Sequence, residues 1–301
     1  MTKRWLWTQK QDIGPSPRWG HAMAYVAASQ RVALFGDGSD FTAARADTWE
    51  WDGDAWTQVA DMGPFGRMYC SMAYDDSRQR LVLFGGGVLS NGSFMVQGDT
   101  WEWNGTEWSQ VADTGPSPRV LHAMTYDTVR QRVVLFGGEL WTGATSPLDT
   151  WEWNGTEWMQ ITDIGPPGLV SPAMVFDSSR ECLVLFGGFG ETWEWDNDTG
   201  WVKRQDMGPR GIVSPRMAYT GEHTVLFGTP PTLSAGSATG QTWEWDGRLW
   251  TQRQDMGPAR RYHHNLAHDS QRDRVVLFGG TVSGIAAGDT WELAIVEQPQ
   301  G

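Results

Sequence analysis

The chain has 301 residues, 40% of them hydrophobic, a net charge of −13 and two cysteines, Cys70 and Cys182. That charge argues against nucleic acid and anionic membranes as partners, since both repel an acidic surface. Two cysteines in different repeats make no disulfide framework, and no apolar run approaches the ~18 residues of a membrane span. One soluble, cytoplasmic, monomeric domain over residues 1–301 is therefore expected.

Residues 4–9, with Trp5-Leu-Trp-Thr-Gln, predict a first strand. Structure that starts so early leaves no room for a signal peptide. A loop, DIGPSPR, leads into six repeated units at about 18–60, 67–112, 119–162, 169–205, 212–254 and 261–296. The tetrapeptide TWEW begins at Thr48, Thr100, Thr150, Thr192 and Thr242, and TWEL begins at Thr290.

The third unit shows the pattern. A small, apolar run spans Arg119 to Tyr126, and VVLFGG ends at Gly138 after a polar turn. A variable loop precedes Thr150–Trp153. Asn-Gly in NGTE marks a tight hairpin before a fourth run at Trp158. The two tryptophans of TWEW share one strand face and are expected to pack between neighbouring units. A third tryptophan opens the fourth run at Trp56, Trp108, Trp158, Trp201 and Trp250.

Four antiparallel strands in each of six units predict an all-β, six-bladed propeller. The sixth unit lacks a fourth run. The N-terminal strand supplies it, with Trp7 in register with Trp250, and so closes the ring and removes its edges.

The sequence VVLFGG, a loop, DTWEW and a spaced tryptophan together resemble the kelch repeat over nearly the whole chain. The resemblance implies blades whose first strand lies nearest the axis. The family includes interaction modules and enzymes such as galactose oxidase and the bacterial sialic-acid mutarotase, so it leaves function open.

Loops leaving the second strand and loops entering the first share one rim. That rim carries the variable segments, with the fourth unit nearly loopless at Phe189-Gly190-Glu191. Variable loops on a rigid scaffold are where function concentrates.

Along the innermost strands one column reads Arg18, Arg67, Arg119, Leu169, Ile212, Arg261, and another reads His21, Cys70, His122, Pro172, Pro215, His264. These arginines and histidines serve either as scaffold hydrogen-bonders or as groups that orient an anion and carry protons at the channel mouth. His263 stands where other units have Gly20, Ser171 and Ser214. His268 replaces an aromatic. Zinc accepts three histidines, but His21, His122 and His264 fall at unequal angles and lack a short ligand spacing, so no metal and no cofactor are expected.

Asp37 and Glu139 break the diglycine pattern and are candidates for a general acid or base. The glutamates of TWEW and the loop acids Asp12, Asp61, Asp113, Asp163, Asp206 and Asp255 recur in every unit and read as scaffold. Trp19, Tyr69, Tyr262, Phe41, Phe94, Trp141 and Phe189 offer an apolar wall.

Two functions fit. In one, the long-loop mouth binds a small, partly apolar organic molecule, as a redox-independent enzyme of isomerase, cyclase or lyase type. In the other, the same aromatic rim is a protein-interaction surface.

Overall fold

A computed structural model describes residues 2–10, 13–39, 44–90, 93–143, 145–167, 169, 171–187, 189–205, 208–230, 239–254 and 256–298. Among them every regular element is a strand. Six four-stranded antiparallel sheets form the blades. Their innermost strands are Ala22–Val26, Ser71–Asp75, Ala123–Asp127, Ala173–Asp177, Val213–Tyr219 and Asn265–Asp269, and each neighbours the next around the ring.

The third blade has strands Ala123–Asp127, Arg132–Phe136, Thr150–Trp153 and Trp158–Thr162. The sequence extends its first strand back to Arg119, but the ladder begins only at Ala123. The reason is backbone geometry: Leu121 takes φ +58°, outside the extended region. Ahead of the ladder this segment makes one isolated bridge to the long loop of its own blade, through Val120 and Glu139.

Closure is as expected. The strand Thr2–Gln9 pairs antiparallel with Thr290–Gln298, with Trp7 opposite Leu293. This adds the fourth strand to the sixth blade.

Six apolar clusters form the core, one at each seam between blades. Trp51, Trp103, Trp153 and Trp245 are fully enclosed there. Each seam also carries one hydrogen bond of the same kind. The indole of a fourth-strand tryptophan donates to the TWEW threonine of the preceding blade: Trp56 to Thr290, Trp108 to Thr48, Trp158 to Thr100, Trp201 to Thr150, Trp250 to Thr192 and Trp7 to Thr242, all within 2.7–2.9 Å. Trp51 and Trp153 donate across the seam at 3.0 Å to Glu292 and Glu102, which places those glutamates in the scaffold.

Replacing Trp7 with Phe strands the Thr242 hydroxyl and should cost about 1 kcal/mol, matching Trp108→Phe at an internal seam. Urea denaturation of both variants measures this. A markedly smaller loss at Trp7 would show that the closing seam is not equivalent to the others.

Candidate functional site

The segments entering the inner strands converge on the long-loop face. There Gly20, Tyr69, Leu121, Ser171, Ser214 and His263 all have φ between +50° and +68°. Their backbones link blade to blade: Gly20 N–H donates to His263 O (2.9 Å), Tyr69 to Gly20 (2.6 Å) and Leu121 to Tyr69 (3.0 Å). The mouth is therefore a rigid collar, and the side chains on it are fixed in position.

The four arginines expected to hold a substrate are taken up by the blades. Arg18, Arg67, Arg119 and Arg261 are completely buried. Each makes a two-pronged pair with the aspartate preceding the third strand: Asp47, Asp99, Asp149 and Asp289, at 2.6–3.0 Å. Each also donates to a glycine carbonyl at the end of the second strand. Fork-to-fork pairing of this kind satisfies the guanidinium and leaves nothing to present to a ligand. In blades four and five Leu169 and Ile212 replace the arginine, and Glu191 and Gln241 replace the aspartate.

Asp37 is likewise occupied. It is fully buried, accepts from Ser39 N (2.6 Å) and Ser39 Oγ (2.8 Å), and pairs with Arg45 at 3.3 Å. Glu139 is partly buried, and among the described residues its carboxylate makes no hydrogen bond or ion pair.

His21, His122 and His264 each meet a different phenylalanine edge-on, Phe278, Phe84 and Phe227, at three separate seams. Among the described residues no group of three or more His, Cys, Asp or Glu side chains is placed to hold a metal. All three imidazoles are neutral at pH 7. Burial, aided by nearby arginines, lowers His21 and His122 to about 3 and drives His264 well below the ordinary value. Among the described residues their ring nitrogens make no well-formed hydrogen bond, and weak contacts to the Phe278, Phe84 and Phe227 backbones oppose the lowering without reversing it.

Trp19, Tyr69 and His263 form one cluster at the mouth, with ring centroids 5.1–5.7 Å apart. Phe94 and Trp141 pack on each other at 4.8 Å and so order their two loops. Tyr262 and Phe189 are exposed, and Tyr262 bridges Thr281 through its backbone. Phe41 lies outside the described residues.

One residue that sequence reasoning missed organises the site. Arg216 occupies a column that otherwise reads Ala22, Ser71, Ala123, Ala173 and Asn265. It follows a β-bulge between Val213 and Arg216, the kind of irregularity that re-aims a side chain. Its Nη1 donates to Pro215 O (2.8 Å) and Ser171 Oγ (3.3 Å). Among the described residues it pairs with no carboxylate. Burial pushes its guanidinium down to about 10, still protonated at neutral pH.

Arg216 lines a cavity of about 100 Å³ together with Ser71, His122 and Asn265. Met23, Met72, Met124, Met174, Met217 and Leu266 separate this chamber from a wider one, about 410 Å³, on the opposite face. Its charge bears on the mouth: burial and then Arg216 lower His263 to about 4. Burial raises Tyr69 to about 12, which the Glu139 charge reinforces and Arg216 opposes. At pH 7 the mouth therefore offers a neutral imidazole, a protonated phenol and a cation. The cysteines add no nucleophile, since burial raises Cys70 to about 12 and Cys182 to about 11.

No family model matches the chain, and neither does any curated protein. Among solved structures it is similar to the one described as "Structure of YjhT", with a TM-score of 0.69 and 15% identity. The match spans 94% of this chain and 98% of the other. At that identity the likeness shows the fold.

Arg119→Ala leaves Asp149 without its partner and should destabilise the protein by about 3–5 kcal/mol; thermal or urea unfolding will read the loss. Burial raises the carboxyl pKa of Asp47, Asp99, Asp149 and Asp289, but the guanidinium hydrogen bonds and charge outweigh it and hold all four below the ordinary range. The stability they contribute is therefore fully present above the unfolded value of about 3.9. It drains as pH falls below that, which a pH series of unfolding midpoints will show as an acid limb that R119A shallows.

Proposed function

We propose that the chain is a kelch-type propeller whose long-loop mouth binds a small organic anion with an apolar body. The observation that carries this reading is Arg216, a channel-lining cation without a carboxylate partner among the described residues, beside inner-strand arginines that all have one. A partly buried guanidinium left unpaired favours an anion at that point. Asn265 and Ser71 add polar atoms to the chamber, and the Trp19 and Tyr69 rings, in contact with each other, supply apolar surface at the mouth.

The chemistry this arrangement suits is proton transfer. His263, neutral at pH 7, accepts a proton from a group held beside Arg216, and Tyr69 keeps its own to donate as a hydrogen bond. Isomerisation, cyclisation or elimination fits that pair without a redox step. The second reading, an interaction surface at the same rim, is favoured by the exposure of Trp141, Phe189 and Phe65.

The test is a panel of aromatic and alicyclic carboxylates, each paired with its neutral amide, titrated by calorimetry. Carboxylates should bind and amides should not, and Arg216→Ala should weaken binding at least tenfold while the exposed control Leu249→Ser leaves it unchanged. Equal binding of acid and amide, or of R216A and wild type, would sink the reading.

Affinity should stay flat from about pH 5.5 to 8.5, because the mouth histidines are already neutral there, and fall as pH rises through about 10, where Arg216 loses its proton. His263→Ala should abolish solvent-deuterium exchange into a bound ligand and leave its affinity within about threefold.

A further inference from the structure

The outer edges of the six blades are not alike. The fourth strand is the free edge of each sheet, and an exposed edge pairs readily with another chain unless charged side chains guard it. Three residues after the tryptophan of that strand, the closing blade and blades four and five carry a base: Lys10, Arg204 and Arg253. These pair with Glu292 (3.6 Å), Glu194 (3.0 Å) and Glu244 of the neighbouring strand. Blades one to three carry Val59, Val111 and Ile161 there instead.

The scaffold does not require a base at this point. Glu102 and Glu152 already pair with Arg78 and Arg130 from the turn between the first two strands, and Glu50 pairs with Arg31 at the start of the second strand. Nor do blades two and three require an apolar group there, since Val111 is 39% exposed and Ile161 40%, whereas Val59 of blade one packs against a core cluster.

The loops that follow extend this surface. Each reads Asp-x-Gly-Pro. The proline is buried, and in several blades the glycine lies flat on the next tryptophan, where a Cβ at Gly63 would sit 2.6 Å from Trp108. Those two positions are explained by packing. The x position is not: Met62 is 80% exposed and Ile164 78%. Thr114 meets the same backbone requirement in blade two. Asp61, Asp113 and Asp163 stand exposed beside them, and no Lys or Arg occurs from Trp56 to Gly66, Trp108 to Pro118 or Trp158 to Gly168.

We propose that the outer edges of blades one to three, centred on Trp158–Thr162, dock a basic, partly apolar segment of a partner protein that adds to the edge as a strand. Charge selects this occupant. A two-fold pairing of this edge with its own copy would set these aspartates against themselves, the bases on the other blades' edges are already taken by Glu292, Glu194 and Glu244, and an anionic membrane or nucleic acid would be repelled. Ile161 and Val111 take its apolar side chains, and Asp113 and Asp163 its bases.

The probe is a labelled eight-residue peptide of alternating Lys and Val, followed by fluorescence anisotropy, with a Glu/Val peptide as control. The Lys/Val peptide should bind, weaken with salt and slow amide exchange in Trp158–Thr162. I161K combined with V111K, which places in blades two and three the base found in blade four, should reduce its affinity at least tenfold with the unfolding midpoint unchanged. Undiminished binding by that variant, equal binding of the Glu/Val peptide, or a dimer in sedimentation that the variant dissolves would each overturn the proposal. Binding to neutral lipid vesicles that the variant abolishes would overturn it in favour of a membrane.

Discussion

The indole-to-threonine hydrogen bond at each seam is the constraint on which the ring depends. A blade alone cannot bury both of its faces, and a four-stranded sheet left open exposes edges and apolar surface. The six bonds set the same register at every seam, including the one closed by the N-terminal strand. With the register fixed, six inner strands point at one axis. Residues distant in sequence then meet: Tyr69, Ser171, Arg216 and His263 come from four different blades.

The same regularity sorts structural charge from available charge. Four inner arginines repeat, and each repeats with its aspartate and with an indole that donates to that aspartate, as Trp101 does to Asp99 at 2.7 Å. In blade five both are replaced by uncharged residues, Ile212 and Gln241, whereas in blade four Leu169 replaces the arginine and Glu191 keeps a carboxylate with one buried oxygen that has no hydrogen-bond partner among the described residues. Arg216 enters at a different position, next to a bulge, and among the described residues its hydrogen bonds are made through Nη1. Its effect is long in reach because the surroundings are dry. Burial is the main cause that lowers His21, His263 and His264, and the Arg216 charge adds to it at all three, with Arg18 contributing more than Arg216 at His21. All three imidazoles are therefore neutral where the Arg216 charge persists.

Recurrence needs burial beside it before it can be read. The TWEW glutamates recur because each is buried and paired, and the loop glycines and prolines because they pack on the seam. The apolar residue between loop aspartate and glycine recurs while standing in solvent, so packing does not account for it. Ile13 and Met256 share that exposure, so it is the fourth-strand residue that divides the circumference, with bases at the edges of three blades and valine or isoleucine at the other three.

Most of the fold was legible because its determinants are local. Period-two alternation, Asn-Gly turns and spaced tryptophans specify each blade from within about fifty residues, and Trp7 revealed closure by repeating Trp250. The site was legible only in part. His263, Tyr69 and Trp19 were readable as departures near the mouth, and they do assemble. The roles of Arg18, Arg67, Arg119 and Arg261 were not readable, because each partner aspartate lies 28–32 residues away and is fixed only by strand pairing. Arg216 was visible as one arginine in a column of small residues, yet its meaning required the ring. By itself the sequence determined the number of blades, their strand order and the closure, since those follow from local periodicity. Only the tertiary structure decided which charges are neutralised and which remain, since the arginine–aspartate pairs depend on strand pairing within a blade and the surroundings of Arg216 on the neighbouring blades.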